Sequence, residues 1–132
     1  MELVVIVAGV ALLEYWVFLL LCGQARGRFG VAAPATTGHP VFERYFRVQM
    51  NTIEQLVLFL PGLFGFAVFV SPTWAAALGL VFVVGRAVYA RGYIEDPAKR
   101  GPGFLLTFVA NLTLVGGTLI GAIVRLLQGP AV

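Results

Sequence analysis

Four long apolar runs, parted by three short polar stretches, set the pattern of this chain. The first, Leu3 to Leu21, carries Glu14 as its only charge and predicts a spanning helix over about 3–22, near the roughly 20 residues a bilayer crossing needs. A stretch dense in glycine and proline, Gly23 to Pro40, reads as a loop. A second helix is expected over 41–70, polar in its first half and apolar in its second. At 1.5 Å per residue it measures about 45 Å, more than a hydrocarbon core, so its polar half must leave the bilayer or line an enclosed cavity. Pro61 lies inside it and is expected to free the carbonyl of Val57 and kink the helix. Ser71-Pro72 turns the chain into a third helix over 73–93, a charged loop follows from Ile94 to Pro102, and a fourth helix occupies 103–127. Gly117 and Gly121 make a G-x-x-x-G pair on that last helix, a surface for close helix packing. The whole, 1–132, reads as one all-α integral membrane domain, a four-transmembrane-helix bundle.

The first run is not a secretory signal. No basic segment precedes it, and bulky Leu21 stands before Cys22 where a cleavage site requires a small residue. Composition agrees: 60% of the 132 residues are apolar and 11% charged, where a soluble domain carries about 25% charged. A soluble enzyme, a disordered chain and a disulfide scaffold are thereby excluded. The net charge of +3 does not point to nucleic acid, because the basic residues stand at the ends of apolar runs. Arg26, Arg28, Arg44, Arg47, Arg91, Lys99 and Arg100 gather on the side of the first and third loops, with Arg125 alone opposite. The positive-inside rule places those two loops in the cytoplasm and both termini outside. The lone Cys22 forms no intrachain disulfide, and one cysteine with one histidine supplies no ordinary metal site. His39 reads as a solvated loop residue.

Charges within apolar helices are costly and usually face a bundle interior or cavity. Arg47, Asn51 and Glu54 share one helical face, as do Arg86, Tyr89 and Tyr93 on the third helix, with Arg100 just beyond it. Gln49 points to a different neighbour. Guanidinium forks bind carboxylates and a carboxylate holds an ammonium, so this set suits a small anionic ligand that also carries an amine. The same residues read equally as ion pairs bordered by an interfacial tyrosine belt. Glu14, mid-span, reads as a protonated or hydrogen-bonded packing residue, or as part of an inter-subunit contact.

At these residues the chain resembles the MAPEG family, the membrane-associated proteins of eicosanoid and glutathione metabolism. The likeness rests on Pro34-Ala35-Thr36-Thr37-Gly38, on Phe42 to Glu54, which follows an E-R-x-x-R-x-Q-x-N-x-x-E pattern, and on Gly85 to Tyr93 running on to Lys99-Arg100. The third stretch is most similar to microsomal glutathione transferases of types 2 and 3. The resemblance implies a four-helix bundle that assembles as a homotrimer, with glutathione between subunits near the cytoplasmic face. By position it implies that Arg47, Asn51, Glu54, Arg86, Tyr89 and Tyr93 bind glutathione, that Arg26 and Gln49 reach the same molecule from the adjacent subunit, and that Arg100 is catalytic.

The implied activity is a glutathione S-transferase, also a glutathione-dependent peroxidase, with glutathione as co-substrate, no metal, and a lipophilic electrophile or lipid hydroperoxide drawn from membrane lipid. Gly27 stands where the leukotriene C synthase branch has a second arginine, which argues against that subtype. Gln55 replaces an aromatic residue after the glutamate, and the family's helix-two proline falls at Val57. The alternative is a non-catalytic lipid-presenting protein like the lipoxygenase-activating branch, but that branch lacks the arginines found here as Arg47 and Arg100. Short loops and an Ala/Gly/Val-rich composition fit a bacterial inner membrane better than an endoplasmic reticulum.

Overall fold

The computed structural model describes residues 1–130; the last two residues of the expected 1–132 unit lie outside the described residues. Helices α1 (Glu2–Phe29), α2 (Pro40–Phe69), α3 (Pro72–Glu95) and α4 (Gly101–Leu127) account for nearly all of them, with a 3₁₀ turn at Pro97–Arg100 between the last two. All four are long and apolar enough to cross a membrane. Helices α2 and α3 pack on each other, and both touch α1 on one side and α4 on the other.

The boundaries differ from the sequence reading where glycine density misled it. α1 does not stop at residue 22 but continues to Phe29, through Gly23 and Gly27. Isolated glycines cost a helix about 1 kcal/mol each and do not end it. The chain leaves the helix only at Gly30, whose φ of 68° is left-handed and whose N–H returns to the carbonyl of Arg26. Arg26 is therefore a helical residue, not a loop residue. The third loop shrinks likewise: α3 runs on to Glu95, and Asp96 caps the 3₁₀ turn by accepting from Ala98 N at 3.1 Å. α2 passes through Pro61 as one unbroken helix.

Caps fix the remaining starts. His39 is not a freely solvated loop residue but is half-buried; it stacks on Phe29 at 4.2 Å, and its Nδ1 accepts from Val41 N at 3.1 Å ahead of Pro40 in the first turn of α2. Ser71 Oγ accepts from Trp74 N at 3.3 Å and Pro72 opens α3. Two helix ends are closed by arginines of other helices. Arg44 of α2 donates to the carbonyls of Ile94 and Glu95 at 3.1 and 3.2 Å, closing α3. Arg125 of α4 donates to Val68 O at 3.2 Å, closing α2 at the opposite end of the bundle. A cation beside unsatisfied C-terminal carbonyls is favoured by the helix dipole.

Small residues let α4 approach its neighbours. A Cβ on Gly117 would enter the Phe66 ring, and one on Gly121 would stand 3.0 Å from Phe69 O, so the G-x-x-x-G pair faces α2. Gly103 and Gly85 do the same between α3 and α4. The apolar core centres on Phe59 and Phe82, stacked at 3.9 Å, with Leu63 and Leu114 fully buried around them. α1 and α3 run side by side: Val7 meets Gly79, and Phe18 joins Val48, Tyr89 and Ala90 in a second cluster.

Candidate functional site

The polar half of α2, the end of α3, the 3₁₀ turn and the start of α4 meet at one end of the bundle. Arg86 is the anchor. It has no exposed surface, and it is held by neighbours from two helices. Its Nε donates to Thr107 Oγ1 of α4 at 3.1 Å, and its Nη1 donates to Asn51 Oδ1 at 2.7 Å and to Thr52 Oγ1 at 3.3 Å, both on α2. Each threonine hydroxyl passes its own proton back along its helix, Thr107 to Gly103 O and Thr52 to Val48 O, leaving lone pairs for the guanidinium. The guanidinium also lies over the Tyr89 ring at 4.2 Å, and Tyr89 stacks on Tyr93 at 5.6 Å.

Nearer the surface, Arg47 pairs with Glu54 at 3.4 Å, both side chains about half exposed. The shared face read from their spacing is thus real. Arg100 ends the 3₁₀ turn, exposed, with Nη1 donating to Pro97 O at 3.0 Å. Of the expected residues, Asn51, Arg86, Tyr89 and Tyr93 therefore form one chain of contacts, Arg47 and Glu54 form a separate pair on α2, and Arg100 touches neither.

Two stand apart. Arg26 is turned toward its own loop, donating to Ala35 O at 2.7 Å and lying over the Phe42 ring at 4.8 Å. Gln49 is 7% exposed, buried within the chain.

Thr52 and Thr107 were missed by the sequence reading. Asn111, whose Nδ2 donates to Gln55 Oε1 at 3.0 Å, was missed as well. Thr107 and Asn111 lie one turn apart in an otherwise apolar run, which was the available signal. An open apolar groove of about 400 Å³ runs between α1 and α2 along Leu12, Tyr15, Ile53, Val57 and Pro61. A second open groove, about 990 Å³, lies at the other end beside Phe69 and Arg125, and the described residues lining it include no carboxylate or phenol.

The arrangement offers guanidinium groups for carboxylates, a surface carboxylate for an ammonium group, and two stacked phenols, with an exposed cation on the adjoining turn. Comparison with known proteins points the same way. The MAPEG family model matches residues 4–120. An uncharacterized protein of Synechocystis is 45% identical over 93% of this chain and 90% of its own length. Human microsomal glutathione S-transferase 2 is 42% identical over 75% of this chain and 69% of its own. Mouse leukotriene C4 synthase is 35% identical over 95% of this chain and 82% of its own. A family match across nearly the whole chain, on four membrane-length helices with the motif residues gathered at one end, makes this protein a member of the MAPEG family.

Proposed function

We propose that this protein is a membrane-embedded glutathione S-transferase that activates glutathione as its thiolate and adds it to lipophilic electrophiles. The observation that carries the reading is the polar group on α2 and α3, with Arg47 and Glu54 at the surface, Arg86 buried behind Asn51 and Tyr89, and Arg100 exposed on the adjoining 3₁₀ turn. Glutathione has two carboxylates, an ammonium group and a thiol. Arg47 takes a carboxylate, Glu54 the ammonium group, and Asn51, Tyr89 and Tyr93 the amides and remaining polar atoms. Arg86 acts from behind, since it is fully buried and its Nε and Nη1 are committed to Thr107, Asn51 and Thr52. Arg26 and Gln49 contribute from an adjacent subunit of a homotrimer, for which Gln49 must turn outward from its buried position.

Arg100 supplies the chemistry. A free thiol with pKa near 8.5 is only a few per cent ionised at neutral pH, and a guanidinium close to the sulfur shifts the equilibrium toward thiolate, its proton passing to solvent. The thiolate forms the S–C bond as the electrophile's leaving group departs or its double bond accepts the electron pair. With a lipid hydroperoxide, two glutathione molecules are oxidised to the disulfide while the hydroperoxide becomes alcohol and water. The groove between α1 and α2 is lined almost wholly by apolar groups, which suits lateral entry of a lipophilic substrate. The basic end faces the cytoplasm, the termini lie outside, and the setting is a bacterial inner membrane.

The test is a thiolate absorbance titration with glutathione on detergent-purified protein at neutral pH. A saturable thiolate signal is expected. Absence of both signal and glutathione binding overturns the reading and leaves a lipid-binding protein in its place.

A further inference from the structure

Among the described residues three buried polar atoms have no partner, Oε1 of Glu14 on α1, Nη2 of Arg86 on α3 and Oδ1 of Asn111 on α4, and the first two belong to opposite charges. The packing of the two helices places the residues at the same level. Val7 of α1 meets Gly79 of α3, and Phe18 of α1 packs with Tyr89 and Ala90 of α3. Glu14 stands seven residues after Val7 and four before Phe18; Arg86 stands seven after Gly79 and four before Ala90. Glu14 also continues the inward stripe of α1, between buried Ala11 and Phe18. No water reaches this depth cheaply, since Glu14 is about 18 Å or more along the helix from either end of α1.

The charge balance demands a partner. A guanidinium stays protonated in proteins, and the partners of Arg86 named above, Thr107, Asn51 and Thr52, are all neutral. Glu54, the other carboxylate of the site, is taken by Arg47 at the surface. Of the cations on α1, Arg26 is occupied with its loop, and Arg28 lies over Phe29 near the helix end. An uncompensated charge inside a membrane bundle is expensive, and such residues pair with one another or mark function.

We propose that Glu14 is the intramembrane counter-charge of Arg86, and that through Arg86 it is a positioning residue for Asn51 and Tyr89. The pairing stands on the packing alone; the effect on ligand binding rests on the glutathione reading above. Glu14 touches no substrate. It balances the guanidinium charge from the α1 side without a hydrogen bond to it, where Thr107 accepts one from the α4 side, and the cation in turn holds the two side chains that face the ligand.

The experiment uses the full chain in detergent or nanodiscs, with E14Q, E14L, R86M and the double variant E14L/R86M. Thermal unfolding gives a double-mutant cycle, calorimetry gives glutathione affinity, and an infrared difference spectrum of wild type against E14Q reports the carboxylate. The expected cycle is strongly non-additive, the double variant losing less than the two singles together, because each single leaves a buried charge alone. E14Q should show loss of an ionised carboxylate band and bind glutathione about tenfold more weakly. Its KM for glutathione should rise while kcat at saturation holds. An additive cycle, or a protonated Glu14 in the infrared, overturns the pairing. A coupled cycle with unchanged glutathione affinity in E14Q overturns the positioning role. Wild-type protein that binds no glutathione overturns the transferase reading, while the cycle and the spectrum still decide the pair.

Discussion

Gly103, in the first turn of α4, is where a single methyl group tests how closely two helices must approach for the site to form. A Cβ there would stand 2.7 Å from Tyr89 Cβ and closer still to the backbone N and Cα of the same residue. Non-bonded carbons settle at about 3.5–4.0 Å, so Gly103→Ala forces α4 and α3 apart by about 1 Å. The obstacle is backbone, which cannot swing aside as a flexible side chain would. Overpacking of this kind costs about 1–3 kcal/mol, and the rigid contact places the expected loss near the upper end, about 3 kcal/mol. One turn on, the same displacement stretches the 3.1 Å bond from Arg86 to Thr107 beyond hydrogen-bond range.

Thermal unfolding of the detergent-solubilised protein should therefore fall by about 10 °C, together with a weaker affinity for glutathione. Gly101→Ala is the control, since a Cβ at that position meets nothing within 4 Å, and its unfolding temperature should hold or rise slightly. Wild-type stability in Gly103→Ala, or equal losses in both variants, would refute the argument from close approach.

Other outcomes follow from single contacts. Arg100→Ala should keep glutathione binding and lose the thiolate signal, whereas Arg47→Ala should weaken binding itself; identical titration curves for the two would sink that division of roles. Thr107→Val should cost about 1–3 kcal/mol by leaving Arg86 Nε without its acceptor, read in the same unfolding assay. Ser71→Ala removes the acceptor for Trp74 N and should cost about 1 kcal/mol without changing the glutathione affinity, because it lies at the far end of α3.

The four helices were legible because each run is long enough for a bilayer crossing and each break is punctuated by proline, glycine or charge. The α1 boundary was not. Gly23 and Gly27 resemble loop glycines in sequence, yet only Gly30 takes a left-handed φ, and that choice depends on where the loop must turn. The site was legible where its members share one helix, as with Arg47 and Glu54 on α2 or Arg86 and Tyr89 on α3, because helical spacing alone brings them together. Thr107 was invisible for the opposite reason. A threonine in an apolar helix satisfies itself against its own backbone, here Gly103 O, and only packing against α3 shows that its lone pair serves Arg86. Glu14 stood out in the sequence as a lone charge, but its partner lies on a helix 72 residues later in the chain.

The arginine that closes α2 bears on how the molecule is made. The carbonyl of Val68 is met by Arg125, in the final turn of α4. Chains emerge amino end first, so α2 and α3 can be inserted and paired while that terminus of α2 is still open to water or headgroups. A turn made after all the other helices then fastens a helix made well before it. Arg44 works in the other direction, waiting on α2 for the end of α3 to arrive. The two arginines give the bundle a sequence of latches, one set early and one at the end, so that completion of the membrane domain is registered at both faces.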